Sequence, residues 1–437
     1  MTTTLSSKED WTFLDYSTQK FTHGFHLYPA RMHPEIAKRL IERYAVDAKK
    51  VVFDPFMGSG GVLVESLIHG NNSVGIDVNP FAVLLSRVKT TPVDPKLLQS
   101  YFDDILSRAV SDYKTKKFHE DVAPQSKSLN LKFWYGLDVI RKLQILKYHI
   151  FNLDSDDSVK DFFKICFSLT SRKTSYQRNS IYKIYRLSKE DTKTFRPDAF
   201  EVFGDICKKN ISKMAEFDSV VKPKVKTYPF LGDSRNILES FSKVPKGVLD
   251  DGKAHLVVTS PPYGDHRTTV AYGQFSKHPG LWLELDEDKL LNVDTTGLGG
   301  AKKTSFSDLD SSLLDITMKK VQKNDEALSK KDKKPYRTAD VFAFFFDLDQ
   351  CLKEISKFLK QGESHCCFVV ANRTVRRVVI PTDKIIVELG KKYGFKHKET
   401  IYRTIANKAM SQKNAPENIV DYVGETMTRE SIVIWEF

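Results

Sequence analysis

The sequence predicts an α/β protein: a parallel strand-and-helix core interrupted by a large, mainly helical insertion. Three observations predict it. Two strand–helix units follow one another between Val51 and Lys89, a long helical stretch intervenes, and the α/β pattern resumes near Tyr228 and runs to the end of the chain. Alternation of this kind places parallel strands in one sheet with helices covering its faces.

The elements follow in order. "MHPEIAKRLIERY" sets Ile36, Leu40, Ile41 and Tyr44 at helical spacing, an amphipathic helix over 32–44. "KKVVFDPFMGSGGVLVESLIHG" reads as a strand at Val51–Phe53, a glycine loop through Gly61, and a helix from Val62 to His69. A second strand, Ser73–Ile76, ends in Asp77, with another helix behind it. Residues 92–222 are mostly helical, and "TYPFLGDSRNI" and "HLVVTSPPYGDHRTTV" then restore the strand pattern. The lysine-heavy stretch 273–338 reads as a surface excursion. After it come a helix stopped by Gly362, the buried strand "HCCFVVAN", a helix ending at Gly394, and the strands "KHKETIYRTI" and "ESIVIWEF". The expected organisation is a core in three pieces, 1–91, 223–272 and 339–437, carrying an insertion at 92–222 and an excursion at 273–338.

At 437 residues the chain exceeds one ordinary core of about 100–200 residues. It carries 68 Lys+Arg against 56 Asp+Glu, a net charge of +12, which favours a polyanionic partner, nucleic acid first. The five cysteines form no CxxC pair and no Cys/His ligand spacing, so a reducing compartment and no metal are expected. The N-terminus lacks a signal-peptide pattern, and no apolar run approaches the roughly 18 residues of a membrane span. The expectation is a soluble cytoplasmic protein without a membrane partner.

Two motifs carry chemistry. "DPFMGSG", Asp54 to Gly60, lies at the carboxyl end of the first strand, where glycines let backbone approach a ligand. It is neither GxGxxG nor a P-loop, so the ligand need not carry phosphate. Asp77, ending the next strand, sits where a ribose diol would be gripped. A tight turn with a capping aspartate would look the same. In the second motif, Ser260-Pro261-Pro262-Tyr263, neither proline has an N–H to continue strand pairing. Such a rigid loop can present carbonyl acceptors to an exocyclic amine, with the Ser260 hydroxyl beside them and Tyr263 as a flat face for a planar base. A proline-terminated strand with a core tyrosine is the plainer alternative.

Together the motifs resemble the S-adenosylmethionine-dependent amino-methyltransferases of DNA. "DPFMGSG" is similar to their cofactor loop and "TSPPY" to their catalytic loop; "THGFHLYPARMHP", "GIDVNP" and "LGDSRNI" match further pieces, over about two-thirds of the chain. The resemblance implies a Rossmann-like class I methyltransferase fold with a mostly parallel seven-stranded sheet and one reversed strand. It implies Phe56, Gly58 and Gly60 along the methionine end of S-adenosylmethionine, with Tyr28, Pro29 and His23 as cover. Asp77 would then hold the ribose and Asp233 the adenine amine. The serine of the catalytic loop is typical of cytosine-N4 enzymes, whereas the order of cofactor loop before catalytic loop is met more often with adenine-N6 enzymes. Expected partners are double-stranded DNA and a cognate restriction endonuclease or another defence system. An RNA guanine-N2 methyltransferase and a non-catalytic nucleic-acid-binding homologue are the remaining alternatives.

Substrate contacts are expected outside these loops. Between Asp161 and Glu190 lie seven basic residues and no acid, among them Arg172, Lys173, Arg178, Lys183 and Arg186, with tyrosines interleaved. Such residues suit phosphates and guanine edges, although a charge run is also what a solvated helix face looks like. His266 and Arg267 beside the catalytic loop, and Arg373, Arg376 and Arg377 after a core strand, are further candidates.

Overall fold

The computed structural model describes residues 9–265, 269–301, 303, 308–332, 337–405, 413–414, 424–425 and 429–437. Seven strands form its main sheet: β1 (Val52–Asp54), β2 (Ser73–Asp77), β3 (Thr227–Leu231), β4 (Leu256–Thr259), β5 (His365–Val370), β6 (Lys396–Thr404) and β7 (Arg429–Glu436). Their spatial order is β3-β2-β1-β4-β5-β7-β6. The first five are parallel, and β7 runs antiparallel between β5 and β6. This is the Rossmann-like methyltransferase arrangement with one reversed strand.

Side-chain alternation along the central strands fills two layers. Val52, Leu256, Val258, Cys367, Val369, Ile432 and Ile434 point to one face, under helices α1 (Pro34–Tyr44) and α2 (Gly61–His69). Phe53, Val257, Cys366, Phe368, Val433 and Trp435 point to the other. Helix α3 (Pro80–Lys89) starts with Pro80 after Asn79, whose side chain accepts from the Phe81 N–H and so closes the helix start.

The stretch after α3 is helical: α4 (Pro95–Lys114), α5 (Leu131–Trp134), α6 (Leu137–Phe151), α7 (Asp157–Thr174), α8 (Lys189–Thr194) and α9 (Ala199–Asp218). Its core, including Leu98, Phe102, Leu146, Phe163 and Phe203, is continuous with Phe81 and Leu85 of α3. The crossover therefore packs on the sheet-covering helix.

The expectation of a surface excursion over 273–338 is corrected. Helices α10 (Ile237–Phe241), α11 (Tyr272–Trp282), α12 (Glu287–Thr296) and α13 (Ser312–Asp332) follow β3, and the last three bury Phe275, Trp282, Leu290, Val293, Leu314 and Val321. Apolar residues spaced among the lysines build a packed face, while Lys289, Lys319, Lys320 and Lys323 are exposed. Helix α14 (Thr338–Lys357) ends before Gly362, because Phe358 turns its carbonyl to the Ala254 N–H. Helix α15 (Thr382–Lys391) completes the second layer. Among the described residues, no helix is long and apolar enough to cross a membrane.

Candidate active site

The carboxyl ends of β1, β2 and β4 open onto one cavity of ≈ 520 Å³, within the range of small-molecule sites. Asp54, Phe56, Gly58, Asp77, Asp233, Tyr28, Pro29 and His23 all line it, and so do Ser260 and Pro262. The two loops, some 200 positions apart in the chain, therefore meet at one space because β1 and β4 are neighbours.

The cofactor loop is held by its carboxylates. Asp77 Oδ2 accepts from the Gly58 N–H at 2.9 Å and Oδ1 from the Asn79 N–H at 2.8 Å, leaving lone pairs on both oxygens toward the cavity. Burial pushes its pKa up to about 6. Asp54 Oδ1 accepts from Thr259 Oγ1 at 2.6 Å and from the Phe56 N–H at 3.1 Å, tying the cofactor loop to the residue before Ser260. Burial pushes Asp54 up to about 7, against the pull of those hydrogen bonds.

Gly58 adopts φ +49°, and a Cβ there would stand 3.3 Å from Tyr28 Cε1, so backbone and ring pass closely at the cavity wall. The expectation for Gly60 is corrected: it does not line the cavity. At φ +74° it starts α2, and an added Cβ would lie 2.2 Å from Ser86 Oγ. Its smallness lets α2 and α3 approach.

The cavity also has a cationic floor that the sequence reading missed. Lys89, only 1% exposed, donates from Nζ to the Ser59 carbonyl at 2.7 Å, and Arg31 donates from Nη1 to the His23 carbonyl at 2.6 Å. His23 Nε2 meets Glu65 Oε1 at 2.7 Å. Burial, then the charge of Arg31, holds the Lys89 ammonium well below its usual pKa, while burial pushes Glu65 up to about 7. Lys89 falls four positions after Leu85 on the inner stripe of α3, and a lysine on an apolar stripe was the available signal.

At the catalytic loop, Ser260 Oγ donates to the Val369 carbonyl at 3.2 Å. Tyr263 Oη, at 3.5 Å, is a second acceptor within its reach, so the hydroxyl can place its one hydrogen inside the protein and keep its lone pairs as acceptors. Pro261 is buried and outside the cavity lining. Tyr263 is half-buried and likewise outside the cavity lining, and its hydroxyl donates to Glu430 Oε1 at 2.8 Å. Asp233 is gripped by Arg235, whose Nη2 lies 2.6 Å from Asp233 Oδ2 and donates to the Thr296 carbonyl at 2.7 Å.

The basic segment divides. Arg172 is corrected from a nucleic-acid contact to a core residue: it is 1% exposed, donates to Gln177 Oε1 and the Ile181 carbonyl, and lies 4.6 Å over the Phe275 ring. Arg186 is half-buried and donates to the Phe133 carbonyl. Lys173, in the last turn of α7, and Arg178 and Lys183, in the loop after it, are exposed, and Tyr182 of that loop lines the cavity. Arg373 and Arg376 are also structural, paired with Asp265 at 2.9 Å and Asp325 at 2.6 Å. His266 and Arg267 lie outside the described residues.

Comparison with known proteins now bears on this cavity. The N6/N4 methyltransferase model, described as DNA methylase, matches residues 5–87, the part holding Tyr28, the cofactor loop and Asp77. The type II methyltransferase M.MvaI of Kocuria varians is 38% identical over 442 residues, spanning 97% of this chain and 92% of that protein. The chain belongs to the DNA methylase family. The type II methyltransferase M.MjaII of Methanocaldococcus jannaschii is 32% identical over 123 residues, 27% of this chain and 22% of its own length. A tRNA (guanine(10)-N2)-dimethyltransferase of Methanothermobacter thermautotrophicus matches over only 52 residues at 36% identity, 12% of this chain and 16% of its own. As a DNA methylase, the protein has S-adenosylmethionine as its expected cofactor, and the paired lone pairs of Asp77 and the close backbone at Gly58 fit a ribose and a slender chain beside it.

Proposed function

We propose that this DNA methylase transfers a methyl group from S-adenosylmethionine to the exocyclic N4 of cytosine within a specific double-stranded DNA sequence. The observation that carries the reading is Ser260: it shares one cavity with Asp77 and Gly58, and the Val369 carbonyl 3.2 Å away can take its hydroxyl proton, which leaves its lone pairs to accept.

Bound S-adenosylmethionine supplies an electrophilic methyl group. The chain does the rest. Asp77 accepts from the ribose hydroxyls, Asp233 from the adenine amine, and Phe56 and Gly58 line the methionine end under Tyr28 and Pro29. Arg31 and Lys89, which line the same cavity, would hold the methionine carboxylate, and that pairing would offset their mutual repulsion. The target base must leave the duplex to reach this depth. Its amine is a poor nucleophile because the lone pair is delocalised into the ring. Ser260 Oγ and the Ser260 carbonyl oxygen accept its N–H groups and localise that lone pair, while the Tyr263 ring stacks on the base. Attack on the methyl group would be in line, the carbon–sulfur bond breaking to release a neutral thioether as the nitrogen–carbon bond forms, with the surplus amine proton passing to solvent and no covalent enzyme intermediate; positioning supplies most of the rate. Lys173, Arg178 and Lys183 hold phosphates near the cavity mouth. Likeness to the type II methyltransferase M.MvaI over 97% of the chain supports a cognate restriction endonuclease as functional partner.

A second reading, adenine-N6 methylation, is favoured by one feature: the cofactor loop precedes the catalytic loop. Nucleoside mass analysis of DNA from a methylation-free host expressing the chain separates the two. N4-methylcytosine is the expected product; N6-methyladenine would transfer the same chemistry to the other base, and neither product would overturn both.

A further inference from the structure

Away from the cavity, in the helical insertion, three side chains from three segments converge on one point. Asp112 sits in the last turn of α4, His119 in the loop that follows, and His149 in the last turn of α6. His119 Nε2 lies 2.8 Å and His149 Nε2 2.9 Å from the same Asp112 oxygen, Oδ2. One ligand atom from each residue lies within 4.8 Å of the others.

We propose that Asp112, His119 and His149 bind a divalent transition-metal ion, zinc by the nature of the donors, with water completing a tetrahedral shell. Two imidazoles and one carboxylate form a ligand set that zinc takes readily, whereas magnesium and calcium prefer oxygen donors. Ligand atoms on a tetrahedral zinc at about 2.0–2.2 Å stand roughly 3.3 Å apart. The two nitrogens therefore need to retreat from Oδ2 by only about half an ångström to admit the ion.

The rings are already set for this. His119 stacks flat on Tyr148, 3.7 Å between centroids at 14°, and His149 meets the same ring edge-on at 5.4 Å and 84°. With side-chain exposures of 7%, 11% and 16%, the three groups are ordered by packing but still reachable. Lys117 stands 5.8 Å from the Tyr148 ring, and its ammonium disfavours weakly held cations more than one gripped by nitrogen donors.

The ion would staple the loop after α4 to the ends of both helices. That loop has a further attachment: Ser126 Oγ donates to Glu287 Oε1, at the start of α12, at 2.7 Å.

The test is equilibrium dialysis of the full chain, stripped with a chelator, against zinc chloride, followed by elemental analysis. One zinc per chain is expected, lost in both His149→Ala and Asp112→Asn, with S-adenosylmethionine binding unchanged in each. Asp112→Asn preserves size and serves if His149→Ala fails to fold, as circular dichroism would reveal. Cobalt(II) at the same site should give visible ligand-field absorption that both variants abolish. A folded wild-type chain without stoichiometric zinc, or zinc retained by Asp112→Asn and His149→Ala alike, overturns the proposal.

Discussion

The Tyr263 hydroxyl donates to Glu430 Oε1 at 2.8 Å, so the aromatic residue of the catalytic loop is anchored to the reversed strand β7. Glu430 is in turn paired with Arg403 of β6, whose Nε donates to the Trp11 carbonyl at 2.8 Å. Burial and the Glu430 charge both raise the Tyr263 pKa well above its usual value, so the hydroxyl remains a donor at neutral pH. Glu430 is a positioning residue: it fixes the ring without reaching the cavity.

Graded substitutions separate ring from anchor. Tyr263→Phe keeps the stacking face and loses one hydrogen bond to a charged group, worth about 1.5–3 kcal/mol, so turnover should fall while methylation persists. Tyr263→Ala should nearly abolish turnover, and both variants should bind S-adenosylmethionine as the wild type does. Single-turnover methyl transfer with isothermal titration reads both quantities. Glu430→Ala should also unfold more easily, by about 3–5 kcal/mol, because it strands the buried Arg403. Full activity in Tyr263→Ala would remove the stacking role.

The two glycines of the cofactor loop should fail differently. Gly60→Ala drives a Cβ into Ser86 at 2.2 Å and also forces a left-handed backbone on alanine. Its expected effect is a lower melting temperature, with Ser86→Gly removing the contacts to Oγ and Cβ but neither the 3.0 Å approach to the Cα of residue 86 nor the backbone cost of about 1 kcal/mol. In Gly58→Ala the added methyl stands 3.3 Å from Tyr28 at the cavity wall, so weaker S-adenosylmethionine binding should exceed the loss of stability. Thermal melts and titration calorimetry on both single variants distinguish the outcomes.

Much of this site was legible because its signals are local. A β-branched run ending in Asp54 or Asp77, followed by glycine or proline, marks a strand's carboxyl end, and parallel order brings such ends together. Arg172 was misread because an acid-free basic run looks like a wet surface. Yet it follows Ile165 and Leu169 on the inner stripe of α7, and the helical period carried that information. Its two terminal nitrogens donate to Gln177 Oε1 and the Ile181 carbonyl, while Nε is buried without a hydrogen-bond partner among the described residues. The Tyr263–Glu430 anchor and the Asp112 cluster join positions far apart in the chain, and only the folded topology creates them.

Asp54 gives a pH dependence of defined sign. Burial raises its folded pKa to about 7, above the unfolded value of about 3.9. Between those values the folded state binds the extra proton, so this group's contribution to stability falls as pH rises from about 4 to 7 and is level above. Asp54→Asn mimics the protonated acid and can still accept from Thr259 and Phe56. Relative to wild type it should therefore gain stability as pH rises from 5 to 7.5, on the order of 1–3 kcal/mol. Urea denaturation of both proteins, without cofactor, at the two pH values gives the difference. A difference independent of pH would mean that Asp54 is ionised throughout.

The exposed cations around the cavity should register in the salt dependence of DNA binding. Removing one cation from a phosphate lowers the magnitude of the slope of log K against log salt by about 0.9 on a duplex. Arg178→Ala and Lys183→Ala should each show that change, with weaker binding to target and non-target duplexes alike, since a phosphate carries no sequence information. Arg172→Met, by contrast, should leave the slope unchanged and lower the melting temperature, because buried Gln177 and the Ile181 carbonyl lose their donor. Fluorescence anisotropy over a salt series, paired with thermal melts, reads all three. An unchanged slope in both exposed-residue variants would move the DNA path away from the loop that carries Tyr182.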